Sequence, residues 1–246
     1  MSGSSFFLIH GAWHWGGCFQ KVADELAAAG YAVTTPDLAS HGYNSLPWQA
    51  VDSMETYTAP VRALLAQSPA PVILVGHSLG GSVLSYLAQT MPEKIKALVY
   101  LAAFMTPEGK TTNEYSRLAA DDPSCAGFFQ LLSTTPDKAG LVLDLSQPTL
   151  LHSALYEDCS AHDVEVARRN LAPITSRVPI FHASGALTSH PRHYILCTQD
   201  KVVPPSLQRR MVADCPGTIV HELSSGHSPF FSAPGALAAL LSRIAG

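Results

Sequence analysis

The stretch Val72-Ile73-Leu74-Val75-Gly76-His77-Ser78-Leu79-Gly80-Gly81 decides the fold of this chain. Its first four residues are apolar without interruption and largely β-branched, which predicts a strand buried on both faces, as parallel sheets require. From Leu79 to Thr90 apolar residues recur at helical spacing and stop before Pro92, which predicts a helix. Between the two lies Gly-x-Ser-x-Gly. A sharp turn from strand to helix forces its central serine into a strained backbone conformation. The neighbours must then be glycine, and the hydroxyl projects from the carboxyl edge of the sheet. The bland alternative is a glycine-rich helix cap holding a passive serine, but strand, motif and helix follow here in the order a nucleophile needs. A phosphate-binding loop would require a Gly-Lys-Ser/Thr ending, which this segment lacks.

Outward from this point the chain alternates short apolar runs with amphipathic stretches, the pattern of βαβ units. Strands are expected at Phe6 to Ile9, Ala32 to Thr35, Val72 to Val75 and Ala97 to Leu101, with helices at Phe19 to Ala29 and Asp52 to Gln67. From about residue 105 to 190 the rhythm is lost among polar turns and short apolar clusters that look helical. It resumes with strands at Arg192 to Cys197 and Thr218 to Glu222 and helices at Pro205 to Asp214 and Ala233 to Ile244. The expected architecture is α/β: one domain over 1–246, a six-stranded, mostly parallel sheet with helices on both faces, and a helical cap inserted at about 105–190.

A serine hydroxyl needs an imidazole to take its proton and return it to the leaving group. Among 11 histidines, His227 follows the last expected strand in Ser224-Ser225-Gly226-His227-Ser228-Pro229, where small residues let the ring reach back. His221 falls inside that strand and reads as a packed or surface ring. Asp200, just past the strand Arg192 to Cys197, is the candidate to orient the imidazole; its carboxylate fixes the tautomer without taking the proton. Asp214 and Asp37 occupy ordinary helix-end and turn positions. The oxyanion would be met by the backbone N–H groups of Leu79, after the nucleophile, and Ala12, in the loop after the first strand.

Composition narrows the partners. The net charge is -4 with no cluster of Lys and Arg, which argues against nucleic acid, and no run is long enough for a membrane span or signal peptide. Cys18, Cys125, Cys159, Cys197 and Cys215 are scattered and odd in number, against both a disulfide framework and a zinc site. His152, His162, His182, His190 and His193 have no metal-ligand spacing. The expectation is a cytoplasmic protein with no cofactor or metal, acting on a small-molecule ester, with a homodimer as the one assembly left open.

The opening Phe7-Leu8-Ile9-His10-Gly11-Ala12-Trp13-His14, the Thr35-Pro36-Asp37-Leu38 loop, the Ser78 motif and Tyr100-Leu101-Ala102-Ala103-Phe104-Met105 together resemble the methylesterase and hydroxynitrile lyase group of α/β-hydrolases. The resemblance covers nearly the whole chain and independently implies Ser78, Asp200 and His227 as a triad. Cyanogenic lyases of the group resemble one another in carrying Thr after the first His and Lys after the catalytic His. This chain has Gly11 and Ser228, and so is similar to the esterase form. Trp15-Gly16-Gly17-Cys18 departs from the group's usual His-Gly-Gly-Trp and weakens any transfer of substrate contacts. The short, lid-bearing form resembles bacterial esterases that act on bulky apolar esters such as pyrethroids. Trp13, His14, Phe104, Met105, Phe128, Phe129 and Leu155 are the pocket candidates, most of the cap's apolar side chains being expected simply to pack. Rival readings on the same scaffold are a hydroxynitrile lyase, separable by product analysis, and a hydrolase-like ligand receptor, separable by slow turnover with tight binding.

Overall fold

Each apolar run expected to form a strand does so in the computed structural model, which describes residues 4–178 and 190–246. The first half contains β1 (Ser5–Ile9), α1 (Gln20–Ala28), β2 (Ala32–Thr34), α2 (Met54–Ala66), β3 (Val72–His77), α3 (Gly80–Thr90) and β4 (Ile95–Leu101). Then come α4 (Thr112–Ala120), α5 (Ala126–Leu131), β5 (Leu132–Thr134), β6 (Gly140–Leu143), α6 (Pro148–Leu155), α7 (Ala161–Asn170) and β7 (Ile174–Thr175). The chain closes with β8 (Arg192–Cys197), α8 (Pro205–Asp214), β9 (Ile219–Leu223), α9 (Pro229–Ser232) and α10 (Pro234–Ala245).

The main sheet runs β2-β1-β3-β4-β8-β9, and every neighbouring pair is parallel. All six residues of β3 are buried, in keeping with its unbroken apolar run, whereas Ile219 and Val220 on edge strand β9 are exposed. The order matters for function. The chain leaves β1 toward β2 on one side and returns to β3 on the other, so a crevice opens at the carboxyl ends of β1 and β3. Open α/β sheets bind their ligands at such a switch point.

The segment between β4 and β8 corrects one expectation. It is not wholly helical: β5, β6 and β7 form a small antiparallel sheet beside α4 to α7. The hairpin is local chemistry. Leu132-Ser133-Thr134 and Leu141-Val142-Leu143 flank a turn in which Lys138 has φ 58° and Thr135 Oγ1 accepts from the Gly140 amide at 2.9 Å. The strands are too short to show an alternating pattern, so the Pro136-Asp137 turn was their only clear signal. Of the histidines weighed as ligands, His182 lies outside the described residues.

Candidate active site

The turn after β3 has the strain its sequence implies. Ser78 adopts φ 52°, a left-handed conformation rare for a residue with a Cβ. Its amide donates to Leu101 O at 3.2 Å and its carbonyl accepts from Gly81 N and Phe104 N, each at 3.0 Å, so the neighbouring β4 terminus holds the turn. Glycine is required beside it. A Cβ on Gly76 would stand 2.7 Å from Gly80 O, and one on Gly80 2.9 Å from both Ile9 O and His10 O.

Asp200 and His227 are brought together, both buried, with His227 Nδ1 2.8 Å from Asp200 Oδ2. The other carboxylate oxygen accepts from the Val202 and Val203 amides at 2.8 and 2.9 Å, which locks the carboxylate's orientation. Sequence reasoning missed Gln208, fully buried on α8. Its Nε2 donates to Val203 O at 2.7 Å and Cys197 O at 3.1 Å, and its Oε1 accepts from Cys197 N at 3.0 Å. That amide staples the Asp200 loop to the end of β8. The available signal was a polar residue on the apolar face of an amphipathic helix, between Leu207 and Met211. The His227 ring lies against His77, ring centroids 4.5 Å apart, and His77 Nε2–H donates to His227 O at 2.8 Å. His227 therefore sits beside the residue preceding Ser78, although none of its hydrogen bonds reaches Ser78 Oγ. Catalytic hydrogen bonds are commonly loose before substrate binds.

The loop after β1 is organised by two more neutral imidazoles. The Leu38 amide donates to His10 Nε2 at 3.0 Å, so the proton is on Nδ1, which donates to Gly11 O at 2.8 Å. That carbonyl belongs to the same peptide group as the Ala12 N–H. His14 Nδ1–H donates to Ala12 O at 2.9 Å, and its Nε2 accepts from Tyr156 Oη at 2.8 Å. Burial pushes His10 well below the ordinary imidazole range, aided by His41, and takes His14 down to about 4. His77 is likewise driven well down, by burial first and by the neighbouring His227 second. All three rings are thus uncharged at neutral pH.

Ser78, Ala12 and Leu79 share the wall of a cavity of about 270 Å³. The Ala12 and Leu79 amides donate to no protein acceptor among the described residues. Of the pocket candidates, Trp13, Phe104, Phe128 and Phe129 are on this wall. His14, Met105 and Leu155 are not. They are almost completely buried, His14 engaged with Ala12 and Tyr156, Met105 and Leu155 in the core. Sequence reasoning also missed the polar side chains of α4, among them Asn113, Ser116 and Arg117, which form part of the wall. Asp37 and Asp214 are structural: Asp37 accepts from the Gly16 and Tyr43 amides, and Asp214 from Tyr115 Oη and Arg210. His221 is half-buried on β9 and faces His193 at 3.1 Å. Among the described residues no three His, Cys, Asp or Glu side chains converge as a metal site would, and no helix is long and apolar enough to cross a membrane.

A parallel sheet, a strained serine after β3 and a buried carboxylate–imidazole pair after β8 and β9 are the marks of one fold family. The chain belongs to the alpha/beta hydrolase family, whose profile matches residues 6–240. It is 32% identical to a pyrethroid hydrolase of Sphingobium wenxiniae over 100% of this chain and 89% of that protein. It is also 32% identical to methylesterase 7 of Arabidopsis thaliana, over 98% of this chain and 95% of that one. The crystal structure of a pyrethroid hydrolase from Sphingobium faniae superposes with a TM-score of 0.89 at 32% identity, covering 98% of this chain and 97% of the other.

Proposed function

We propose that this chain is a serine carboxylesterase with Ser78 as nucleophile, His227 as general base and acid, and Asp200 as the group that orients it. The observation that carries the proposal is the buried Asp200–His227 pair at 2.8 Å together with a left-handed Ser78 that lines one cavity with Ala12 and Leu79. Ser78 Oγ attacks the ester carbonyl carbon while His227 Nε2 takes the hydroxyl proton. Asp200 holds Nδ1–H and stabilises the imidazolium. The charge on the carbonyl oxygen is received by the Ala12 and Leu79 N–H groups, where loss of one such donor typically costs about 3 kcal/mol of transition-state stabilisation. The imidazolium then protonates the departing alkoxide. In the second half water attacks the acyl-enzyme with the same base, releasing the acid and restoring Ser78.

His10 supports this arrangement through the backbone. By donating to Gly11 O it polarises the peptide whose N–H is Ala12's, which strengthens that donor. The close packing of the loop after β1 on the Ser78 turn, the nucleophile elbow, also disfavours lyase chemistry. A Cβ on Gly11 would meet Ser78 Cβ at 2.8 Å and His77 Nδ1 at 3.0 Å, so the threonine typical of the lyases does not fit this backbone. Ser228, at the position of their lysine, is fully buried and brings no ammonium.

Residues 105–190 are in this reading a cap that adds Phe128 and Phe129 to the apolar side formed by Trp13 and Phe104, and the substrates are esters with a largely apolar body. Pyrethroid-type esters are the first to try, given the names of the relatives. Five buried, unpaired thiols support a reducing, cytoplasmic setting. The test is Ser78→Ala assayed with 4-nitrophenyl butyrate: activity should fall by about 10⁴-fold or more with the circular dichroism spectrum retained. Activity within a few-fold of the parent would refute the assignment.

A further inference from the structure

The cavity on which Ser78 opens is not uniform. Trp13, Phe104, Phe128 and Phe129 make one side apolar, while α4 faces it with Asn113, Ser116 and Arg117. Residues 112, 113, 116, 117 and 120 all line the cavity, and their i, i+1, i+4, i+5, i+8 spacing is one helix face. Tyr115 and Ala119, on the flank beyond Thr112, are buried. The helix is anchored at two points. Thr112 Oγ1 is hydrogen-bonded to Ser82 Oγ on α3, one turn beyond Ser78, and Tyr115 Oη donates to Asp214 Oδ2 at 2.7 Å. A capping box of Thr111 and Glu114 fixes its start.

Arg62, Arg168, Arg169, Arg209 and Arg210 are each paired with a carboxylate. Arg117, Arg177, Arg192 and Arg243 pair with no carboxylate among the described residues, and of these four Arg117 alone lines the cavity. The segment 179–189 contains no Asp or Glu. Asn113 and Ser116 likewise make no side-chain hydrogen bond among the described residues. A cationic fork beside an apolar cavity, flanked by two idle hydrogen-bonding groups, is chemistry suited to a carboxylate, which arginine binds through paired N–H donors.

We propose that the α4 wall recognises a carboxylate at the far end of the acyl chain, with Arg117 as its counter-ion, so that half-esters of dicarboxylic acids are preferred substrates. The acyl chain is the part retained on Ser78 after the alcohol leaves, and so it is the part that must fill the cavity. Ser78 and Arg117 both line this one cavity, so an acyl chain held on the serine can extend across it toward the guanidinium. The methylenes then pack on the phenyl and indole rings while the ionised end meets the guanidinium. The reaction is otherwise unchanged: the acyl group passes to Ser78 Oγ with loss of the alcohol, and water releases the diacid. The inference rests on the esterase reading and adds a substrate class to it.

The test compares 4-nitrophenyl hydrogen adipate with 4-nitrophenyl hexanoate, equal in chain length and different in terminal charge. The readout is the ratio of their kcat/KM values, corrected for spontaneous hydrolysis. The wild type should favour the adipate by about tenfold or more, which corresponds to about 1.4 kcal/mol. Arg117→Met should collapse that ratio, and Arg117→Lys should keep most of it. Raising NaCl from about 0.05 to about 0.5 M should lower the wild-type ratio, because the pair is partly exposed. This last measurement needs no variant to fold. A wild-type ratio near or below one, a ratio unmoved by Arg117→Met, or one indifferent to salt would overturn the proposal. Failure to hydrolyse either ester would instead remove the esterase reading beneath it.

Discussion

The carboxyl edge of the sheet and the cap wall meet at one cavity, but they are held by different means. At the sheet edge the groups proposed to react are fixed by short turns and by the strand ends beside them: Ser78 by its flanking glycines and the end of β4, Asp200 by the Val202 and Val203 amides. At the cap the fixing contacts span long stretches of chain. Trp13 Nε1 donates to Leu141 O at 3.1 Å, and the Ala172 amide donates to Trp13 O at 2.9 Å. Asp158 accepts from the Gly226 amide at 2.8 Å, just before His227, and Lys21 pairs with Asp163. In the proposed mechanism, the difference places the chemistry on local strain and buried hydrogen bonds, and substrate selection on a separately assembled wall that grips the loop after β1.

If that division holds, changes at the sheet edge should cost far more turnover than changes at the cap tethers. The largest effect after Ser78→Ala is expected from Gly11→Thr. The added side chain must displace Ser78 or His77, lowering kcat by roughly 10²-fold through misplacement of the nucleophile. Rates near wild type would show that the elbow yields more easily than its backbone contacts imply. Next, His10→Phe removes the proton that polarises the Gly11 carbonyl. We expect kcat to fall by about tenfold with KM little moved, since the donor acts on a charge present only in the transition state. A change confined to KM would place His10 in substrate binding instead.

Stability should respond to acid through the same buried rings. His10, His14 and His77 are uncharged in the fold but protonate in the unfolded chain near the ordinary imidazole pKa of about 6.5. Because the unfolded state binds more protons below that value, stability is fully present above about pH 6.5 and is lost as pH falls. With its folded value at about 4, His14 alone should account for roughly 2 kcal/mol between pH 7 and pH 5. Urea melts at the two pH values measure it, and equal midpoints would contradict the burial argument. The smallest effect should come from Tyr156→Phe, which deletes only the cap's hydrogen bond to His14. A loss of about 1 kcal/mol in stability is expected, with a kcat change much smaller than that of His10→Phe. A larger kcat loss than at His10 would reverse the ranking of the two regions.

The same division explains what was legible in the sequence. The six strands, the Ser78 turn and the positions of Asp200 and His227 follow from apolar runs and motifs that are contiguous in the chain. Gln208 was not read because its partners, the Cys197 and Val203 backbones, converge on it only when α8 docks. In the cap, His14, Met105 and Leu155 share the apolar or aromatic character of true wall residues, and only packing separates them from Phe128 and Phe129. The β5–β6 hairpin escaped because its strands are too short to set a period. Arg117 was passed over since a single charge on an amphipathic helix is ordinarily a solvated one, and its lack of a partner is a three-dimensional fact.

The central claim is that Ser78 is the nucleophile that His227 activates. Labelling the purified protein with a fluorophosphonate and locating the adduct by peptide mass spectrometry addresses it directly, because phosphonylation needs both an exposed hydroxyl oxygen and the base beside it. A single adduct on the peptide containing Ser78, lost in His227→Ala, is the predicted result. An unlabelled protein, or an adduct on another residue, would contradict it.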